Sequence, residues 1–167
     1  MKSIKFLFLL LLCPFLCQAQ AFNLTLNTVA GVFQRTLTSA ELSATIAPNS
    51  VVVQRIDLNQ QEDISLNGNG NGSWCVSIRA VKSPNTPGDI VLEIDSYGSG
   101  AGNGATISSN GLSELLLSTT YQPLLEGTKN YKNILFSYHL DHAESTTSNI
   151  TVDYEVFYQV VSGTCSF

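Results

Sequence analysis

The chain has 167 residues, of which 13 are acidic and 8 basic, for a net charge of −5, and only 13% are charged. Nothing in it clusters Lys or Arg densely enough to neutralise a run of phosphates, which excludes nucleic acid as a partner. No apolar run beyond the first residues is long enough to span a bilayer as a helix.

Lys2 and Lys5 precede an apolar run at 6–12 that continues through Phe15 and Leu16, and Ala19-Gln20-Ala21 supplies small residues for a signal peptidase. Residues 1–21 are therefore predicted to be a signal peptide cut after Ala19 or Ala21. Lipidation at Cys17 is disfavoured because Pro14-Phe15-Leu16 is bulky where such a site needs small residues. Residues 22–167 remain as one domain, long enough for a real core. The product is expected to be secreted, periplasmic or on the cell surface, touching the membrane only through the transient signal. Cys13 and Cys17 leave with that segment. Cys75 and Cys165 stay as a single pair in an oxidising compartment, so a disulfide is predicted.

The first strand falls at 22–29, where Phe22, Leu24 and Leu26 alternate with Asn23, Thr25 and Asn27. Residues 32–37 read as a second short strand or an extended continuation of the first, and 41–46 as a strand or a single helical turn. Val51-Val52-Val53 and Ile56 form a β-branched strand. The polar run 57–63 follows, with a short edge strand at 64–66. Asn67-Gly68-Asn69-Gly70-Asn71-Gly72 is a loop, because Asn and Gly tolerate positive φ. In 73–82, Trp74, Val76, Ile78 and Ala80 share one face and Cys75, Ser77, Arg79 and Val81 the other, which predicts a central strand with Trp74 as the largest core piece. Ile90, Leu92 and Ile94 mark a strand at 89–95. A mobile glycine-rich loop is expected at 96–104, short strands at 105–109 and 112–119, and an edge or bend around Pro123.

The C-terminal stretch carries the strongest signal. Ile134, Phe136, Tyr138 and Leu140 alternate with Asn133, Leu135, Ser137 and His139. Ile150, Val152, Tyr154, Val156, Tyr158 and Val160 alternate with Thr151, Asp153, Glu155 and Gln159, and Phe157 breaks the pattern on the polar side. The polar stretch 141–148 reads as the connection of an antiparallel hairpin between the two. Short strands punctuated by turns, with no sustained 3.6-residue period, predict an all-β fold: an antiparallel β-sandwich of Ig-like or pilin-like kind.

Three constellations suggest chemistry. The Asn-Gly run resembles the start of a calcium loop, but the first Asp is missing and the twelfth position is Ile78, so it reads as a solvated loop. His139-Leu140-Asp141-His142-Ala143-Glu144 has metal-ligating types, yet on a strand His139 and Asp141 face opposite to His142, and a polar turn is the simpler reading. A Ser-His-Asp hydrolase would have to use His139 or His142, and no nucleophile elbow is present. No catalytic residue, metal or cofactor is predicted.

The early strand at 22–29, Trp74-Cys75-Val76-Ser77-Ile78-Arg79-Ala80, Glu114-Leu115-Leu116-Leu117-Ser118, the Tyr-x-Asn-x-x-Phe-x-Tyr stretch at 131–138 and the closing Thr/Tyr/Val strand at 151–160 together resemble secreted bacterial pilin-like and spore-coat-U-like β-sandwich domains. That resemblance implies a non-catalytic domain that builds surface fibres or coats.

The functional expectation is an exported structural or adhesion protein of the bacterial surface. It would assemble with itself or with other surface proteins through strand edges, and Phe22, Leu24 and Leu26 mark the segment to donate. The alternative is an extracellular carbohydrate-binding module, with Tyr97, Tyr121 and Tyr131 as ligand-facing aromatics for glycans. A secreted hydrolase is the third and weakest reading.

Overall fold

A computed structural model describes residues 22–26, 32–44, 55–68, 72–86, 88–141 and 148–167. The predicted signal peptide, Val51-Val52-Val53, Asn69 to Asn71 of the Asn-Gly run, and His142-Ala143-Glu144 lie outside the described residues.

Among the described residues, eleven strands and one short helix follow in chain order: β1 (Phe22–Leu26), β2 (Val32–Leu37), α1 (Ser39–Ala44), β3 (Ile56–Gly68), β4 (Ser73–Lys82), β5 (Asp89–Ser96), β6 (Ser99–Gly100), β7 (Thr106–Ser108), β8 (Glu114–Leu116), β9 (Gln122–Thr128), β10 (Tyr131–Asp141) and β11 (Ile150–Ser162). They form two sheets. One has the order β1-β3-β10-β5-β8, with β6 added beside β10, and the other has the order β2-β11-β4-β9-β7. Every pairing is antiparallel. The fold is therefore an all-β sandwich.

Period-two alternation builds the core between the sheets. Trp74, Val76, Ile78 and Ala80 from β4 meet Ile134, Phe136, Tyr138 and Leu140 from β10, with Ile64 and Leu66 from β3 and Val152, Tyr154 and Val156 from β11. Trp74 is fully buried in a central strand, as its sequence context predicts. Its indole Nε1 donates to the Lys129 carbonyl at 2.6 Å, which satisfies the one polar atom that the ring carries inward. The ring also leaves no room beside it. A Cβ on Gly127 would meet both the indole and the Thr106 carbonyl, so β9 can cross β4 here only with glycine.

Cys75 and Cys165 form a disulfide, with S–S 2.04 Å and Cα atoms 5.0 Å apart. Cys75 lies on the outer face of β4, opposite Trp74, so the bridge ties the C-terminal tail across the outside of its sheet.

Three expectations are corrected. β10 and β11 are not a hairpin: β10 pairs β3 and β5, whereas β11 pairs β2 and β4, so the chain crosses from one sheet to the other between them. Alternation shows which face of a strand is wet, but not which strand lies alongside. The short edge strand expected at 64–66 is part of a longer strand that lies between β1 and β10, and the polar run 57–63 belongs to it. That run is the first half of the 13-residue β3, hidden from pattern reading because its inward positions include Gln60 and the buried Glu62. Pro123 lies in β9 beside the register shift against β4, on a stretch that β7 does not reach, which agrees with the edge or bend expected there. The glycine-rich stretch carries β6, whose Ser99–Gly100 pairs with Tyr131 and Lys132. Of the stretch 41–46, the described residues 41–44 take the helical alternative, as part of α1. Thr38 and Glu41 form a capping box: the Glu41 amide donates to Thr38 Oγ1 at 3.2 Å, and the Thr38 amide donates to Glu41 Oε2 at 2.8 Å.

Candidate functional site

β1 and β2 lie at matching edges of the two sheets. β1 pairs the end of β3, with Phe22 opposite Gly68 and Leu26 opposite Ile64. β2 pairs the first half of β11, from Ile150 opposite Leu37 to Glu155 opposite Val32. Side chains of β2 reach across the sandwich. Phe33 stacks on Tyr154 at 5.0 Å between ring centroids and tilts against Tyr138 at 5.3 Å, so one ring contacts both sheets. The Arg35 guanidinium donates to the Asp57 carbonyl at the start of β3 and pairs with Glu41 at 2.7 Å. The N-terminal strands thus clasp both sheets from one side. The opposite edges end in β7 and β8, each only three residues long.

Beneath this clasp lies a polar cluster that the sequence reading missed. Glu62 is 1% exposed. The hydroxyls of Tyr138 and Tyr158 both donate to its Oε2 and lie 2.7 Å from each other, while Oε1 and the Tyr154 hydroxyl are buried with no hydrogen-bond partner. Both phenol protons are thus spent on Oε2, and the cluster offers Oε1 none. Burial pushes the Glu62 carboxyl above the usual carboxylate range, against the lowering effect of the two phenol hydrogen bonds. Burial likewise raises Tyr138, Tyr154 and Tyr158, with the Glu62 charge adding to the shift. The signal available in the sequence was a Glu at an even, inward position of a polar run facing a strand of alternating tyrosines.

The outer face of the first sheet carries the predicted His139–Asp141 pair. Arg55 binds Glu114 through both terminal nitrogens and Asp141 through Nε at 3.1 Å, and these hydrogen bonds hold Glu114 below the usual carboxylate range. His139 Nε2 lies 2.9 Å from Glu93 Oε2 and 3.5 Å from Ser137 Oγ, while Nδ1 is buried without a partner. A catalytic relay needs serine and carboxylate on different ring nitrogens. Here both approach the same one, so this trio is not arranged as a triad. Among the described residues no three His, Cys, Asp or Glu side chains gather as metal ligands.

The three candidate aromatics do not converge. Tyr131 is only 8% exposed and packs its ring edge-on against Trp74, so it belongs to the core. Tyr97 is exposed, with its hydroxyl 2.7 Å from Ser109 Oγ in the loop after β7. Tyr121 is 44% exposed and stands on the outer face of the second sheet, where the Arg79 guanidinium lies over its ring at 5.3 Å. The same guanidinium lies over Phe157 at 4.1 Å. Phe157 and Arg79 are direct cross-strand partners of β11 and β4, which explains why an aromatic interrupts the polar face of β11. Sequence reasoning flagged Phe157 as an exception but did not join it to Arg79 and Tyr121.

No protein-family model, curated protein or solved structure matches this chain.

Proposed function

We propose that the chain is an exported, non-catalytic subunit of the bacterial surface, Ig-like or pilin-like in its sandwich, that assembles with copies of itself through its N-terminal strands. The observation that carries this reading is the placement of β1 and β2. They are consecutive, they occupy the edge of each sheet on one side, and the strand orders β3-β10-β5-β8 and β11-β4-β9-β7 stay contiguous without them. Withdrawing them would bare the ladders of β3 and β11 together with the socket that Tyr138 and Tyr154 make for Phe33. The same segment from a second copy satisfies both edges and refills the socket, which is the physical basis of strand exchange. The disulfide, the predicted signal peptide and the low charge support a place outside the cytoplasm.

Size-exclusion chromatography with light scattering and electron microscopy, on the exported protein at high concentration, tests the assembly. Polymers or discrete oligomers are expected, and adding a synthetic peptide of residues 22–37 in excess should shift them to capped monomers. A sharp monomer at every concentration, with no polymer in the microscope, refutes it.

A second reading, as a glycan-binding module, is favoured by one observation: an exposed Tyr121 ring set beside a guanidinium on an open sheet face.

A further inference from the structure

We propose that Arg79, Phe157 and Tyr121 form a binding site for a carboxylated sugar on the outer face of the second sheet. This rests on the glycan-binding reading and names its ligand class.

The chain has three arginines, Arg35, Arg55 and Arg79. Two are spoken for: Arg35 pairs with Glu41, and Arg55 pairs with Glu114 and Asp141. Arg79 has neither a carboxylate partner nor a hydrogen-bond acceptor among the described residues, although acidic side chains outnumber basic ones in this protein. What holds it is aromatic: Phe157 at 4.1 Å and Tyr121 at 5.3 Å. A guanidinium lying over rings keeps its N–H donors at the rim of the planar group, where a ligand can reach them. The rings also fix the group before any ligand arrives, so little side-chain entropy is lost on binding.

The chemistry that fits is specific. A planar donor fork matches the two oxygens of a carboxylate. One positive charge in a protein of net charge −5 suits a monoanion better than a phosphate dianion, because no second cation accompanies Arg79 and Glu155 lies exposed on the same sheet face. The exposed Tyr121 ring offers a surface for the C–H face of a pyranose. Two residues along β4 and β11 on the same face stand Ser77 and Gln159, cross-strand partners whose polar groups are of the kind that bond sugar hydroxyls. A uronic acid joins the two features, since its carboxylate is attached directly to the stacking ring.

Isothermal titration of the intact exported protein at low salt, with size-matched trigalacturonate, maltotriose and triglutamate, tests the assignment. Trigalacturonate should bind, and the other two should bind at least tenfold more weakly. Arg79→Gln should lose about tenfold or more of the trigalacturonate affinity, Arg79→Lys should lose part of it, and Tyr121→Ala should lose a comparable amount. Both sites are on the outer face, and the buried Trp74 emission reports whether each variant is folded. Triglutamate binding as tightly as trigalacturonate would overturn the sugar assignment. Maltotriose binding that needs Tyr121 but not Arg79 would overturn the carboxylate and leave the glycan reading intact. No oligosaccharide binding at all would remove both.

Discussion

Glu62→Gln isolates the consequence of burying a carboxyl among phenols. In the native protein, burial raises the folded-state value of Glu62 above the 4.5 expected when the chain is unfolded. Below that unfolded value the carboxyl is neutral in both states, and its contribution to stability is fully present. As pH rises through the raised folded value, the unfolded state has already released its proton while the folded state must either hold it or bury a charge. Stability is lost over that window. Glutamine keeps the shape and a carbonyl that accepts from Tyr138 and Tyr158, but it does not titrate. Each unit by which the folded-state value exceeds the unfolded one corresponds to about 1.4 kcal/mol. The native protein should therefore lose stability relative to Glu62→Gln as pH rises above 4.5, by up to about 1.4 kcal/mol per pH unit, until the raised folded-state value is passed. Urea denaturation of both proteins across that range measures it. Taking the difference cancels the exposed groups whose values are lowered, Glu41 and Glu114, which act in the opposite sense on acidification. A difference that stays flat, or that grows in favour of the native protein as pH rises, would refute the upward shift of Glu62.

Removing the disulfide by Cys75→Ala with Cys165→Ala opens a closure of 90 residues. The chain-entropy relation puts the loss at about 4–5 kcal/mol, read as a lower urea midpoint, and free thiols in the denatured native protein would contradict the bridge. Gly127→Ala should destabilise by about 3 kcal/mol, because the new methyl meets the Trp74 ring and a backbone carbonyl that cannot move aside; a normal melting temperature would contradict that packing. Trp74→Phe orphans the Lys129 carbonyl and opens a void, for a loss of about 1–3 kcal/mol in a denaturant titration followed by far-ultraviolet circular dichroism. In the native protein this single tryptophan should emit at short wavelength and shift red on unfolding, and an already red emission would place it in water.

The candidate sites were unevenly legible. Cys75 and Cys165 could be paired by counting, because no other cysteine follows the predicted signal peptide. Tyr97 and Tyr121 are exposed, as the polar residues on both sides of each imply. Tyr131 was misplaced, since a tyrosine next to a turn looks the same whether its ring turns outward or lies against an indole. The cross-strand contact of Arg79 with Phe157 was unreadable, because it depends on β11 lying beside β4 with one particular register.

From residue order alone came the strand-rich class, the two faces of each well-patterned strand and the placement of Trp74 in the core. These follow from a two-residue period that each segment carries within itself. Tertiary structure alone decided that β10 and β11 belong to different sheets, that Glu62 is enclosed by Tyr138, Tyr154 and Tyr158, and that β1 and β2 clasp one side of the sandwich. Those are relations between segments far apart in the chain. Which ladder a strand joins is settled by how all the inward faces fill one shared interior, a quantity that no single stretch of sequence contains.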